Sequence, residues 1–224
     1  MNFDIDIFMH KFASQLKDIY GSRLLFFGIQ GSYARGEASE KSDIDLVVII
    51  KDFSFQDLKD YKILALGSQY HEKLCGFISG EEELSRWSKY DLFQLIFDTK
   101  TFYGDLFSIV QKPSEEDIKV FVKVSSENLY HSVVHSYLYS QDRHGDLFAF
   151  YKSVFYILQG ICYLENGKYF STKKDLAEVV RGKDREIFAI CLSRADIFRK
   201  DGIELEQLYQ VLINWCSNNI KIYT

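Results

Sequence analysis

Two short apolar runs with a polar segment between them place the strongest limit on what this chain can fold into. Residues 23–30 form a run rich in Leu and Phe, and residues 44–50 read Ile-Asp-Leu-Val-Val-Ile-Ile. Runs of this length and composition are typical of buried strands. The polar segment opens with Gly31 and ends at Asp43, and Asp45 lies inside the second run. The sequence therefore predicts a strand, a polar turn and a second strand.

The rest of the first half predicts a small α/β unit around these strands. Ahead of the first strand, apolar residues recur at helical spacing up to a glycine that ends the helix. After the second strand we expect a helix, a strand, a short acidic helix and a further strand. The predicted bounds are helices at 3–20, 55–66 and 81–87 and strands at 23–30, 44–50, 74–79 and 92–98.

The second half reads as helix. Pro113 is the only proline in the chain, and Ser114 is typical of a helix N-cap because acidic residues follow it in the first turn. Apolar residues over 147–162 keep helical spacing, and Gly167 ends that helix. The sequence thus predicts an α/β (α+β) N-terminal domain with a small mixed sheet, followed by an all-α helical domain. The predicted domains are residues 1–111 and residues 112–224.

Charge and cysteine content narrow the classes of protein that fit. The net charge is −5 and the pI about 5.6, which argues against a nucleic-acid template held by many phosphate contacts. The four cysteines form no CxxC pair and no zinc-like spacing with histidine. The N-terminus lacks the regions of a signal peptide, and the uninterrupted apolar stretches are shorter than a membrane span. We therefore expect a cytoplasmic protein with reduced thiols, no membrane segment and no nucleic-acid template.

The polar segment and the start of the second strand carry the residues that point to chemistry. Gly31 and Ser32 predict a tight turn whose backbone N–H groups approach phosphate oxygens closely, because glycine lacks a Cβ. Asp43 and Asp45 are two positions apart on a strand, so both carboxylates emerge on one face. Such ligands suit Mg²⁺, and two ions about 3.5–4 Å apart clamp the oxygens of an in-line phosphoryl displacement. A merely solvated strand start is the alternative for a lone Asp-x-Asp pair, but it does not account for the combined pattern.

The pattern Gly-Ser-x-Ala-Arg-Gly-x5-Ser-Asp-Ile-Asp-Leu at residues 31–46 resembles the signature of the DNA polymerase β-like nucleotidyltransferases. It is most similar to the small bacterial branch that contains antibiotic adenylyltransferases and minimal nucleotidyltransferases. In that family the Gly-Ser turn holds the phosphates of a nucleoside triphosphate. The resemblance implies two Mg²⁺ ions at Asp43 and Asp45, with ATP or another NTP as co-substrate. The cofactor-binding residues predicted from the motif are Gly31, Ser32, Arg35 and Ser42.

A weaker similarity covers residues 147–180, which resemble the C-terminal helical domain of the streptomycin/spectinomycin adenylyltransferases. In those proteins a Lys-Asp-x-Ala segment brings a lysine to the nucleotide phosphates, which implies this cofactor-binding role for Lys174. An ordinary surface lysine at the start of a helix is the equally weighted alternative. The same similarity would turn Asp146 towards a cationic acceptor, although a surface N-cap is the simpler interpretation.

The family usually supplies a third carboxylate, as a metal ligand or as the general base for the acceptor hydroxyl. The strand predicted over 74–79 contains no acidic residue. Glu72, just before this strand, is therefore the first candidate, and Asp98, at the end of the last predicted strand, is the second. For each, an exposed carboxylate at a strand end is the alternative. The predicted catalytic residues are Asp43, Asp45, Glu72 and Asp98.

These features predict a Mg²⁺-dependent nucleotidyltransferase with its active site in a cleft between the two domains. It would move AMP, or another NMP, from ATP or another NTP to a hydroxyl of a small cationic acceptor such as an aminoglycoside, releasing pyrophosphate. A protein-modifying, antitoxin-like nucleotidyltransferase and a nucleotide-binding module without turnover are the two alternatives. The sequence leaves open the acceptor, the base of the NTP and the formation of a homodimer.

Overall fold

A mixed four-stranded sheet organises the first half of the chain. Its strands are β1 (Leu24–Gln30), β2 (Ile44–Ile50), β3 (Leu74–Gly80) and β4 (Lys100–Gly104). They lie in the order β3-β2-β1-β4. β1 runs antiparallel to β2 and to β4, whereas β2 and β3 are parallel. The small mixed sheet predicted from the sequence is confirmed.

The computed structural model describes residues 3–199, 202 and 204–223. Met1 and Asn2, with which the N-terminal segment discussed above begins, lie outside the described residues. By its internal contacts the chain divides into two units, Met1–Lys112 and Pro113–Thr224. They are called here the sheet unit and the helical unit.

The helices of the sheet unit follow the predicted order up to the third strand, except that a short helix, α2, forms where a turn was predicted. They are α1 (Ile5–Tyr20), α2 (Gly31–Ala34), α3 (Phe55–Leu66), α4 (Glu81–Ser85) and α5 (Leu92–Phe97). Asp4 caps α1 by accepting hydrogen bonds from the N–H groups of Asp6 and Ile7, and Gly21 ends this helix as predicted. Single 3₁₀ turns lie at Gly21–Arg23, His71–Lys73 and Leu106–Ser108.

β2 is buried on both faces, which explains its nearly continuous apolar run. Leu46 and Val48 belong to a core that also contains the apolar side of α1. Val47 and Ile49 belong to a second core, together with residues of α4 and α5. Because side chains alternate along a strand, Asp45 shares the face of Val47 and Ile49. Asp45, the charged residue of β2, thus lies at the edge of the core formed with α4 and α5.

Residues 92–97 form the helix α5, so the strand predicted over 92–98 is wrong. Leu92, Phe93 and Ile96 are buried together, at a spacing that lines one side of α5. The last strand of the sheet is instead β4, whose half-exposed and exposed residues give little hydrophobic signal. Asp98 is consequently the C-cap of a helix and does not end a strand.

The helical unit confirms the all-α prediction for its described residues. Its helices are α6 (Glu115–Tyr139), α7 (Arg143–Asn166), α8 (Lys173–Val179), α9 (Gly182–Ile197) and α10 (Leu205–Ile222). Ser114 caps α6 through a capping box with Asp117, and Gly167 ends α7 in the left-handed conformation. Asp142 is the N-cap of α7, which corrects the interpretation of Asp146 as a cap.

α7 is long and apolar enough to cross a membrane by length and composition alone. The short uninterrupted apolar runs in the sequence did not indicate this. In the structure 56% of its apolar window is buried, as is usual for a helix in a protein core. Tyr151, Val154 and Leu158 are fully buried residues of the apolar side of α7.

Asp57, in the first turn of α3, is a buried carboxylate that ties neighbouring elements together. It accepts hydrogen bonds from the Arg23 guanidinium at 2.7 and 3.2 Å. The backbone N–H and the hydroxyl of Ser54 donate to it at 2.8 Å each. The Tyr20 hydroxyl donates to the main-chain oxygen of Asp57 at 2.9 Å. The bond to Arg23, assisted by those to Ser54, lowers the pKa of Asp57 from 3.8 to about 2.

We expect Asp57 to stabilise the fold at neutral pH and to lose this effect in acid. Because the folded pKa lies below the unfolded one, the stabilisation is complete above the unfolded value and is lost as the pH falls through the folded value of about 2. Asp57→Asn should lower the free energy of unfolding at neutral pH by about 2 kcal/mol, and the deficit should shrink in acid. Urea unfolding over a pH series measures this. Asp18→Asn, at an exposed position of α1, is the control, and equal pH-independent losses in both variants would contradict the assignment.

Candidate active site

The turn after β1 requires glycine at position 31 for two separate reasons. The φ of Gly31 is +71°, in the left-handed region that residues with side chains avoid. A Cβ at this position would also collide with the carboxylate of Asp45. The turn leads directly into α2, in which Ser32 is the second residue. The two ends of the sequence motif therefore meet in space, with Gly31 against Asp45.

The register of the sheet fixes the position of the Asp-x-Asp pair. Asp45 is paired with Gln30 of β1 on one side and with Cys75 of β3 on the other. Asp45 is half-buried, whereas Asp43, just ahead of β2, is exposed. One carboxylate of the pair is thus held by the sheet beside the turn, and the other faces solvent.

Arg35 and Asp98 form a buried ion pair behind the turn. Arg35 Nη1 lies 2.5 Å from Asp98 Oδ2, and both side chains are only 6% exposed. The same Oδ2 accepts the N–H of Gly31 at 3.2 Å. Arg35 Nε also lies 3.3 Å from Glu37 Oε2. Arg35, predicted to bind the cofactor, is therefore engaged by two carboxylates, and its contacts in the structure hold the turn in place.

Asp98, the second candidate for the general base, has the environment of a structural carboxylate. Burial raises its pKa, while the Arg35 guanidinium and the Gly31 amide act in the opposite direction. Its Oδ1 is buried and has no hydrogen-bond partner among the described residues. Because Oδ2 already accepts from Arg35 and Gly31, we interpret Asp98 as a group that positions the turn.

Glu72 lies just ahead of β3, and Cys75 is the second residue of that strand. Glu72 is exposed in the 3₁₀ turn that precedes the strand. The strand residue level with Asp45 is Cys75, an exposed free thiol. Lys73 Nζ donates to the main-chain oxygen of Glu40 at 2.6 Å and so links this turn to the loop ahead of Asp43. β3 thus presents a thiol beside Asp45, and the nearest acidic residue before it in the sequence is Glu72.

Ser42 and Lys174 lie in different units. Ser42 Oγ accepts the N–H of Ser39 at 2.9 Å and thereby shapes the loop that leads to Asp43. Lys174 is exposed in the first turn of α8, a helix capped by Thr172. Ser42 therefore contributes to the loop by its hydrogen bond, and Lys174 is an exposed residue of the helical unit.

The residues around the turn fit a hard divalent cation. Asp43 and Asp45 offer carboxylate oxygens, and the missing side chain at Gly31 leaves backbone close to Asp45. Mg²⁺ is usually held by one or two carboxylates together with substrate phosphates, so it does not need a larger set of protein ligands. Over the described residues, no three His, Cys, Asp or Glu side chains are grouped as a metal site. The donor set therefore suits a metal that arrives with a phosphorylated substrate.

Comparison with known families agrees with this geometry. The family model described as nucleotidyltransferase domain matches residues 9–125, more than half of the chain. The chain belongs to the nucleotidyltransferase family. The match includes the whole motif at residues 31–46. The protein is therefore an enzyme of the DNA polymerase β-like superfamily.

Two solved structures and one curated relative are similar to this nucleotidyltransferase. The spectinomycin adenyltransferase of Enterococcus faecialis, solved with ATP and spectinomycin, matches 95% of this chain and 99% of its own at 16% identity and a TM-score of 0.58. A toxin–antitoxin structure with AMP-PNP covers 58% of this chain and 94% of its own at 16% identity, with a TM-score of only 0.32. A Methanocaldococcus jannaschii protein described as a protein adenylyltransferase is 38% identical over 56 residues. That match spans 25% of this chain and 38% of the relative's length. The first structure shows that this chain has the nucleotidyltransferase fold.

Two features of this site were missed in the sequence. The pair of Arg35 and Asp98 joins positions 63 apart, and no local pattern marks such a contact. The position of Cys75 beside Asp45 depends on the parallel register of β2 and β3. That register could have been anticipated by aligning the starts of the two strands, since Ile44 pairs with Leu74.

The contact between Gly31 and Asp45 predicts different effects for two glycines of the same loop. Gly36 has a φ of +70°, close to that of Gly31, but a Cβ there would meet open space. Gly31→Ala should weaken binding of Mg²⁺ and ATP by at least about tenfold, because the new methyl group displaces Asp45. Gly36→Ala should cost stability alone, about 1 kcal/mol, and leave nucleotide affinity within about twofold. Titration with a fluorescent ATP analogue measures both, and equal affinities in the two variants would refute the role of this contact.

Proposed function

We propose that this nucleotidyltransferase transfers AMP from ATP to a hydroxyl of a small cationic acceptor and releases pyrophosphate. The observation that carries the proposal is the close approach of the Gly31 turn to Asp45, with Asp43 exposed beside it. This arrangement puts backbone that approaches phosphate next to carboxylates that attract a metal. ATP as the co-substrate is further supported by the similar adenyltransferase, which was solved with ATP.

The residues of the turn and of β2 would divide the work of binding. Gly31 and Ser32 bind phosphate oxygens of the triphosphate, and Asp43 and Asp45 hold Mg²⁺, in our proposal two ions. When bound, Mg²⁺ supplies neutralisation of the phosphate charge and orientation of the reacting oxygens. Arg35 and Asp98 keep the turn in the required shape, since they bind each other and the Gly31 N–H. Catalysis then rests mainly on positioning and on compensation of charge.

The transfer itself needs an acceptor for one proton. The acceptor oxygen forms a bond to the α-phosphorus, the bond from this phosphorus to the bridging oxygen breaks, and pyrophosphate leaves. We assign the hydroxyl proton to the Glu72 carboxylate, which is exposed in the 3₁₀ turn ahead of β3. Asp98 is less suited to this role because it is buried and bound to Arg35. An exposed carboxylate on a turn can reach a hydroxyl directly or through one water molecule.

The small cationic acceptor is favoured by charge and by fold. The chain carries a net charge of −5, which attracts cations and disfavours a nucleic-acid template. The spectinomycin adenyltransferase structure matches almost the whole chain, including the helical half, and contains spectinomycin. By this likeness we propose that the acceptor is a small hydroxyl-bearing molecule. Weakening of acceptor binding with salt would be consistent with this charge attraction.

A protein acceptor is the second candidate. The curated relative described as a protein adenylyltransferase is 38% identical, but only over 56 residues. The two candidates differ in what is labelled when the enzyme is incubated with ATP carrying a radioactive α-phosphate. Label in a small-molecule fraction supports the first candidate, and label on the protein or on a protein partner supports the second.

Asp43→Asn and Asp45→Asn should each abolish transfer while leaving the fold intact. Each change removes a negative oxygen ligand from the proposed metal site, and neither residue is fully buried. Pyrophosphate release with ATP, Mg²⁺ and a panel of aminocyclitols, aminoglycosides and neutral sugars measures the activity. Asp18→Asn, at an exposed position of α1, is the control for charge removal and should keep full turnover. Near-normal turnover in either metal-site variant would refute the assignment.

Glu72→Gln should lower turnover by about 10²-fold and change nucleotide affinity little, because the carboxylate acts on the acceptor proton alone. Glu82→Gln, an exposed glutamate of α4, is the control and should keep full activity. If turnover is unchanged, the proton goes elsewhere and Glu72 is only a surface residue.

A further inference from the structure

A cavity of about 430 Å³ lies among the helices of the helical unit, in the size range usual for small-molecule sites. It is bounded by the C-terminal part of α7, the N-terminal part of α9 and the C-terminal half of α10. None of the residues assigned above to metal, phosphate or proton transfer lines it. A ligand of this cavity would therefore be held by a different set of residues.

One face of α10 forms a wall of the cavity. Four of its lining residues recur at intervals of four and so follow one side of the helix: Val211, Trp215, Asn219 and Tyr223. Trp215 and Asn219 are buried, whereas Tyr223, at the C-cap, is half-buried. The indole Nε1 of Trp215 donates to Asp184 Oδ1 at 2.6 Å. This bond holds the Asp184 carboxylate of α9 against α10, one helical turn before Asn219.

Two carboxylates share the cavity without a cation between them. Asp184 is half-buried, and Glu165 is exposed in the last turn of α7. Burial raises the pKa of Asp184, against the effect of the hydrogen bond from Trp215. Burial and the nearby charge of Asp184 raise the pKa of Glu165. Among the described residues neither carboxylate forms an ion pair, and Lys183 and Glu186, exposed at the rim, carry opposite charges. The cavity therefore favours a ligand with a positive charge.

Tyr223 shows that the two carboxylates act on one end of the cavity. Burial raises its pKa to about 12, and the negative charges of Glu165 and Asp184 add to the rise. The two acids come from different helices, α7 and α9, yet both lie close enough to affect this one hydroxyl. A single cationic group placed there is attracted by both.

Asn219 is a buried polar group of the same cavity that lacks a partner. It is only 3% exposed, and its Nδ2 has no hydrogen-bond partner among the described residues. A buried donor left unpaired is costly, so a ligand oxygen that accepts from it gains affinity. A metal ion cannot use this nitrogen, because the NH₂ group of an amide is a donor. The free donor therefore favours an organic ligand with an acceptor oxygen.

We propose that this cavity binds a small aliphatic amine whose ammonium group has a neutral oxygen acceptor beside it. The ammonium group pairs with Asp184 and Glu165, and the oxygen accepts from Asn219. The apolar part of the ligand packs on Ile161 and Ile187, which also line the cavity. A carboxylate in place of the neutral oxygen is repelled by the same two acids. Amides of apolar amino acids are the simplest molecules of this class, and their binding requires neither ATP nor Mg²⁺.

Three matched probes separate the two polar groups of such a ligand. Leucinamide carries the ammonium group, the carbonyl oxygen and a branched apolar chain. 3-Methylbutylamine is the same molecule without the carboxamide, and N-acetylleucinamide keeps the carboxamide but has no ammonium group. Each is titrated by calorimetry at neutral pH into the full chain, without ATP or Mg²⁺. We expect saturable binding of leucinamide and at least about tenfold weaker binding of the other two.

Variants of the chain test the same pairing. Asp184→Asn should weaken leucinamide binding by at least about tenfold, because it removes a charge that pairs with the ammonium group. Asn219→Leu should reduce the affinity for leucinamide to that for 3-methylbutylamine, whose own affinity should not fall. Glu127→Gln is the control for lost charge, since Glu127 is exposed on α6, a helix that contributes no lining residue to the cavity. It should bind leucinamide as the natural chain does.

Trp215 reports whether the ligand binds inside the cavity. In Trp87→Phe it is the one remaining tryptophan, and its emission should change as leucinamide saturates the protein. The proposal is overturned if leucinamide does not bind, if it binds without changing this emission, or if the three probes bind equally. Unchanged binding in Asp184→Asn and Asn219→Leu also overturns it. Should these two variants fail to fold, the ratios among the probes and the emission of Trp215 decide. Pyrophosphate release is measured separately, so this proposal and the proposed function fail independently.

Discussion

Gly31 lies between the carboxylates of Asp98 and Asp45, and the candidate site depends on the burial and the partners of each of them. Its N–H donates to Asp98 at 3.2 Å, while its Cα side faces Asp45 so closely that no side chain fits. Asp98 is buried and has Arg35 as its cation at 2.5 Å. Asp45 is half-buried near the start of β2, and Asp43, just ahead of that strand, is exposed to solvent. Burial thus separates a carboxylate that shapes the turn from a pair placed where substrate and metal can arrive.

The ion pair behind the turn explains why an arginine belongs to this motif. A buried carboxylate without a cation costs several kcal/mol, so Asp98 could not remain charged beside Gly31 if Arg35 were absent. Arg35 directly follows α2, and its guanidinium reaches back to a residue outside the motif. The turn is therefore fixed from both ends before any nucleotide binds. A phosphate site gains from such preorganisation because its N–H groups need not be ordered during binding.

The sequence predicted the parts of this protein whose signals are local. β2 has the bounds expected from its apolar run because it is buried on both faces, and Ser114 and Gly167 mark helix ends through their own backbone chemistry. The strand predicted at residues 92–98 is wrong because a short apolar run has no distinct period. The actual fourth strand, β4, is an edge strand whose half-exposed and exposed residues give little hydrophobic signal. The expectation that Asp98 ends a strand followed from that error. Its contacts with Gly31 and Arg35 arise from tertiary packing, which no pattern within either segment contains.

The position of Cys75 beside Asp45 bears on how precisely each group of the proposed mechanism must be placed. A metal ligand needs a fixed position, and the sheet provides this for Asp45, a ligand in our proposal, through pairing with strands on both sides. The proposed proton acceptor has a weaker positional requirement, because a carboxylate can take the hydroxyl proton directly or through one water molecule. Glu72, on an exposed turn, meets this requirement. In the proposed mechanism a thiol can therefore lie beside Asp45, because the metal ligands are Asp43 and Asp45.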